Sequence, residues 1–150
     1  MKAEKMIRII EPIDIEINGI TLLSIEEYEA CKYIIPNINF WWWLRSPGYS
    51  SINAANVSNV GNVSDFGNYV NYDDRAVRPA LIYESSNLQI GDKIKIVGYN
   101  WTVISDSMIL CDDVVGFTYF RKDWRANDAN DYEKSDIKKW LNDWWKERIK

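Results

Sequence analysis

Three consecutive tryptophans, set in the run Phe40-Trp41-Trp42-Trp43-Leu44, constrain this chain more than any other feature. The run is short, rich in aromatics and followed by Ser46-Pro47-Gly48, which suits a strand closed by a turn. Alternation along a strand sends Trp42 opposite to Trp41 and Trp43, so both faces must be covered. Each tryptophan can bury about 150–250 Å². The chain holds eight of them, and a few suffice to anchor a small core. Core packing is preferred here to a stacking platform for sugar rings. On helical spacing or strand alternation, Trp43, Trp101, Trp140 and Trp144 are expected to face one interior.

With 150 residues, the chain is expected to form one domain that buries roughly two-thirds of the surface of its unfolded form. No apolar run approaches the roughly 18 residues of a membrane span. Met1 to Met6 carries three charges, and Arg8, Glu11, Asp14 and Glu16 break the apolar stretch that follows, which is not a secretion signal. The expected location is therefore the cytoplasm or a phage particle, by default. Net charge is −4 and the pI is near 4.9, a field that repels nucleic acid and anionic membranes, so neither is an expected partner. Lys134, Lys138, Lys139, Lys146, Arg148 and Lys150 form a basic cluster, which Asp136, Asp143 and Glu147 dilute into a solvated helix face. Histidine is absent, and Cys31 and Cys111 form no CxxC pair, so a zinc site is excluded. Two buried thiols are preferred to a long-range disulfide.

Along the chain, residues 7–23 read as two strands joined by a type I′ turn at Asn18-Gly19, with Ile13, Ile15 and Ile17 alternating and Thr21–Leu23 returning antiparallel. Ser24 and Glu27 form a capping box for a helix of about ten residues that ends by Pro36. Residues 49–73, rich in Asn, Ser, Gly, Tyr and Asp, predict a short hairpin around Gly61 inside a longer exposed loop system. Val77–Tyr83 reads as one strand with Pro79 at an edge or bulge. Residues 91–97, 100–105 and 108–112 make a meander with turns at Gly98-Tyr99 and Asp106-Ser107. Residues 121–134 are polar and irregular. Ser135 then caps a helix whose Ile137, Trp140, Leu141, Trp144 and Arg148 share one side.

The order Leu22-Leu23-Ser24, Glu26-Glu27, Lys32-Tyr33, Trp42-Trp43-Leu44-Arg45-Ser46-Pro47-Gly48, Ala55-x-Val57, Gly61-x-Val63 and Val77-Arg78-Pro79-Ala80-Leu81 resembles a bacterial and phage family of unknown function marked by WWLRSPG and VRPAL. Gly91-Asp92, Gly98-Tyr99-x-Trp101 and Ser135 to Asn142 are similar to that family's opening half, with Lys138 where Arg is usual. Members run from the GYxW half to the VRPAL half, and this chain runs the other way. The resemblance implies an α+β, C-type-lectin-like fold with mixed, mainly antiparallel sheets and two helices, circularly permuted. Residues 1–19 would then add amino-terminal strands, 20–83 would match the family's carboxy-terminal part, and 88–150 its amino-terminal part. Adjacent termini make such a permutation easy, with 84–89 as the link. The alternative is a fragment of tandem repeats completed by exchange between chains, so a homo-oligomer or strand-exchanged dimer stays open. Either way, Val77–Tyr83 is expected to pair antiparallel with Lys93–Val97.

No nucleophile has a credible base, and no P-loop, G-x-S-x-G or G-x-G-x-x-G pattern occurs. Asp73-Asp74, Asp112-Asp113 and Asp128 with Asp131 are the only carboxylate pairs for acid-base or calcium chemistry, and solvated loop aspartates explain them better. Arg45 and Arg78 have the geometry for a carboxylate or phosphate, although a structural ion pair or backbone contacts are preferred. The expectation is no catalytic residue, no metal and no cofactor. The binding candidates are Tyr49, Asn53, Asn56, Asn59, Asn68, Tyr69, Asn71 and Tyr72, because Tyr, Asn and Ser supply flat contact area and adaptable hydrogen bonds. Their composition is also similar to the variable regions of retroelement-diversified lectin-fold proteins, but a plain polar loop is preferred. The leading reading is a non-catalytic recognition module for a protein or glycan ligand. The alternatives are a structural or assembly module of a bacterial surface or phage complex and, behind it, a carboxylate-dependent hydrolase.

Overall fold

The computed structural model describes residues 14–149 and, before them, the backbone of Ile9–Ile10. Of the predicted first strand, positions 7, 8 and 11–13, Ile13 included, lie outside the described residues, as do residues 1–6 and Lys150. In chain order the strands are β1 (Ile9–Ile10), β2 (Glu16–Thr21), β3 (Trp42–Pro47), β4 (Asn53–Val57), β5 (Val63–Tyr69), β6 (Ala76–Val77), β7 (Ala80–Glu84), β8 (Lys93–Ile96), β9 (Tyr99–Val103), β10 (Met108–Cys111) and β11 (Gly116–Phe117). The helices are α1 (Ile25–Cys31) and α2 (Asp136–Arg148), with one turn of 3₁₀ helix at Tyr132–Lys134. One sheet has six strands in the order β1-β8-β9-β10-β7-β2, and the other has five in the order β11-β6-β3-β4-β5. The β1–β8 and β3–β6 pairs are parallel and the others antiparallel, so the class is α+β with mainly antiparallel sheets. Among the described residues no helix is long and apolar enough to cross a membrane.

Trp42 and Trp43 open β3, a strand flanked by β6 and β4, and Trp41 lies just before it. Trp43 packs into an apolar cluster with Ile20, Trp101, Phe120 and Leu141, while Trp42 faces a second cluster with Tyr28, Leu44, Val57 and Leu110. Strand alternation therefore divides neighbouring indoles between two interiors. Both clusters draw on residues 20–83 and on residues 94–144, so each segment completes the other's core. Trp43, Trp101 and Trp144 are buried, and Trp140 is half-buried, lying over Gly116 where a side chain would collide with its ring.

The Ser24–Glu27 capping box forms as read: Glu27 N donates to Ser24 Oγ at 3.1 Å and Ser24 N to Glu27 Oε1 at 2.9 Å. Arg45 then grips Glu27 with both Nη atoms, at 2.5 and 3.0 Å, and donates to Leu22 O. Burial alone would raise the Glu27 carboxyl, but the bonds from Arg45 and Ser24 outweigh it and hold the group below its ordinary value. Arg45 is thus the structural ion pair preferred from the sequence. Ser135 caps α2 by accepting from Lys138 N, and Ile137, Leu141 and Trp144 face inward. On the outer side Lys138 pairs with Glu133 and Lys139 with Asp143, as expected of a solvated face.

Four readings need correction. Asn18-Gly19 is not a turn: β2 runs through it, and the register shift between Ile17 and Gly19 marks a bulge. In a regular strand Ile17 and Ile20 would face opposite sides; one extra residue lets both pack on the same cluster. Residues 49–73 are not mainly loop, because β4 is buried along its whole length and pairs with β5 and β3. Val77–Tyr83 is not one strand. Its first part, β6, belongs to the five-stranded sheet and its second, β7, to the six-stranded sheet, so Arg78-Pro79 is where the chain changes sheets. Finally, β7 does not pair with β8. The two strands lie in one sheet and run in opposite senses, but β9 and β10 intervene, and β7 pairs instead with β10 and β2. Spatial order β8-β9-β10-β7 is a Greek key, in which residues 85–92 cross two strands rather than closing a hairpin.

Candidate recognition surface

The β4–β5 hairpin builds the surface. Gly48 and Gly67 let the chain approach closely, so that Gly48 N donates to Asn53 O at 2.8 Å and Tyr49 N to Phe66 O at 2.9 Å. Tyr49 and Phe66 stack with centroids 4.9 Å apart and planes 5° apart, and they stay 76% and 60% exposed. Farther along, Tyr69 meets Tyr72 edge to face at 5.5 Å. Ile52, Tyr69, Asn71 and Trp124 line an open, mostly apolar groove of about 340 Å³.

A polar layer supports these rings. Arg75 lies 4.8 Å from the Tyr72 ring and 5.8 Å from that of Trp41, and its Nε donates to Asn68 Oδ1 at 2.8 Å. The same Asn68 oxygen accepts from Asn56 Nδ2. Asp74 binds the other side of Arg75 at 2.7 Å.

Of the residues singled out from the sequence, Tyr49, Tyr69, Asn71 and Tyr72 are exposed on this surface. Asn53 and Asn56 are buried, at 5% and 0% exposure, because β4 is a central strand covered on both faces. Asn53 accepts from Ser50, while Asn56 and Asn68 belong to the supporting layer. Asn59 is exposed at the hairpin tip, where its carbonyl accepts from Asn37. The sequence reading missed Ile52, Phe66, Arg75 and Trp124. Phe66 was legible as an aromatic in the same segment. Trp124 comes from the irregular 121–134 stretch and carries no local signal of where it docks.

The thiols are buried, and Asp112 and Asp128 are held by partners. Burial pushes the thiol of Cys31 up to about 11 and that of Cys111 up to about 12, which leaves both thiols protonated and poor nucleophiles near neutral pH. Neither is therefore expected to react with DTNB in the native protein at mildly alkaline pH, and both should react in guanidinium; rapid native labelling would contradict their burial. Asp112 accepts from Thr102 at 2.5 Å and from Lys93 at 3.0 Å. Asp128 pairs with Arg121 and Lys134. Among the described residues no three Cys, Asp or Glu side chains converge as metal ligands.

Comparison with curated proteins and with solved structures finds no match. Residues 19–85, which run from within β2 to just past β7 and contain most of the candidate surface, match the model of a family described as Domain of unknown function (DUF6273).

Proposed function

We propose that this chain is a non-catalytic recognition module that holds a protein or glycan ligand against the aromatic surface of the β4–β5 hairpin. The observation that carries this reading is the run of exposed rings along one hairpin, Tyr49 stacked on Phe66 and Tyr69 set against Tyr72, with Tyr69 and Trp124 lining an apolar groove. Exposed aromatic clusters with adaptable amide neighbours are the composition of binding surfaces, since rigid rings supply contact area at low entropic cost. The inert thiols and the tied carboxylates of Asp112 and Asp128 point the same way. In this reading the domain is C-type-lectin-like and permuted. The sharing of both apolar clusters between the two segments supports one domain built from both, whereas the 85–92 connection, which crosses two strands instead of closing the expected hairpin, counts against a simple joining of adjacent outer strands. Assembly through the tryptophan-rich helix is less well supported, because Trp144 packs inward against Tyr99.

Screening the purified chain on a glycan array and against a displayed peptide library tests the reading and separates the two ligand classes. Tyr69→Ala and Tyr72→Ala should each weaken a captured ligand by about ten-fold. Ile90→Ala, at an exposed position on another part of the chain, should leave it unchanged. Melting temperatures of all three variants should stay near that of the parent. A ligand that binds equally well to the Tyr69→Ala/Tyr72→Ala double variant would overturn the assignment.

A further inference from the structure

Arg78 stands where the chain passes between the sheets, and it is 1% exposed. Its Nε donates to Cys111 O and its Nη2 to Pro36 O, both at 2.7 Å, while the guanidinium lies 5.0 Å from the Trp42 ring. Among the described residues no carboxylate lies within ion-pair distance of it, and no hydrogen bond engages Nη1. The nearest acid to influence it, Asp112, is already held by Lys93 and Thr102. A guanidinium does not shed its proton under ordinary conditions, so the chain buries a full positive charge that two carbonyls, a ring and the through-space attraction of Asp112 compensate without any direct ion pair.

Arg78 also lines a pocket of about 280 Å³ with Tyr28, Lys32, Asn37, Val60 and Asn62. The Tyr28 hydroxyl spends its proton on Gly61 O at 2.6 Å, which fixes the rim at the hairpin tip. Lys32 is paired with Glu29 at 2.9 Å, so its charge is already balanced. Arg78 is thus the cation of the pocket that lacks a direct carboxylate partner, which suits a single negative charge better than a doubly charged phosphate. The volume limits the occupant to a small group. We propose that this pocket is a binding site for a small carboxylate monoanion, either a free acid or the carboxyl terminus of a peptide, held by Arg78 with Asn37 and Asn62 at its mouth.

Titration of the ¹⁵N-labelled full chain with N-acetylglycine, N-acetylglycinamide, acetate and inorganic phosphate tests this. N-acetylglycine should give saturable shifts confined to the amides of residues 32–35, 37 and 60–62 and to the Arg78 Nε–H, and the uncharged amide should give none. Acetate saturating as tightly as N-acetylglycine would identify a free acid as the source; a clear preference for N-acetylglycine would identify a chain terminus. Arg78 also ties β10 to the segment after α1, so its removal threatens the fold, and the decisive variant is Asn62→Asp. That position is exposed, and the new charge at the rim should weaken N-acetylglycine by about five-fold while the melting temperature holds. No saturable shift, an equal response to the amide, tighter binding of phosphate, or an Asn62→Asp protein that binds unchanged would each overturn the proposal.

Discussion

Trp43→Ala is expected to lower the unfolding free energy by about 3–5 kcal/mol, a large share of the roughly 5–15 kcal/mol that holds a domain together. Trp43 has no exposed surface, sits in β3 between β6 and β4, and meets Phe120 edge to face at 5.7 Å. Its Nε1 donates to Thr118 O at 2.9 Å, so truncation removes a hydrogen bond as well as creating a cavity. It also joins the two segments of the chain, since its cluster contains Ile20 and Leu81 from one and Trp101 and Leu141 from the other. Trp124→Ala serves as the contrast. At 38% exposure on the rim of the groove, Trp124 should change stability by no more than about 0.5 kcal/mol. Denaturant unfolding followed by far-ultraviolet circular dichroism measures both. Equal midpoints for the two variants would show that the indole of Trp43 does not anchor the core.

The parts of this fold that were legible are those decided within a few residues. Ser24 and Glu27 satisfy each other's backbone partners three residues apart, and the same local chemistry starts α2 at Ser135. Period-two alternation was enough to send Trp42 and Trp43 to opposite interiors. The misread parts depend on partners that lie far along the chain. Asn18-Gly19 has the composition of a hairpin turn, yet the ladder that β7 offers to β2 keeps the strand continuous, and the extra residue becomes a bulge. Pro79 was recognised as an interruption, but only the competing demands of β3 and β10 show that it marks a change of sheet. The expected β7–β8 hairpin yielded to β10, whose Met108, Ile109 and Leu110 pair with Ile82, Leu81 and Ala80.

The same division runs through the candidate surface. Tyr49, Tyr69 and Tyr72 were found because their segment is rich in the residues that binding surfaces use, and a ring at the edge of a sheet has nowhere else to go. Composition gave no warning that Asn53 and Asn56 turn inward, because the strand that carries them is buried by pairing with both β3 and β5. Ala54, Ala55 and Val57, lying among those asparagines, were the readable sign that the segment is not a loop. Arg75 entered through geometry alone: it is held by Asn68 and stacked against Tyr72 by contacts that no spacing rule anticipates.

Gly67→Ala should be the most damaging single-methyl change in the β4–β5 hairpin. Gly67 is buried in β5 at φ +87°, inside the irregular stretch where Ala54 pairs with Asn68 and Asn56 with Ser64. A left-handed backbone alone costs a non-glycine residue about 1–2 kcal/mol. Here a Cβ would also fall 2.3 Å from Ala54 O and 2.7 Å from Ala54 C, both backbone atoms, so relief requires β4 and β5 to separate. That movement would strain the bond from Tyr49 N to Phe66 O and the Tyr49–Phe66 stack. Together these effects should cost about 3 kcal/mol or more. Gly98 isolates the conformational part, because it has φ +84° in the Val97-Gly98 turn between β8 and β9, with nothing within 4 Å of an added Cβ. Gly98→Ala should therefore lose only about 1–2 kcal/mol and keep any ligand of the aromatic surface. Gly67→Ala should lose much more stability and bind that ligand weakly even where it remains folded. Equal destabilisation of the two variants in denaturant titrations would mean that the close approach of Gly67 to Ala54 does not hold the hairpin in place.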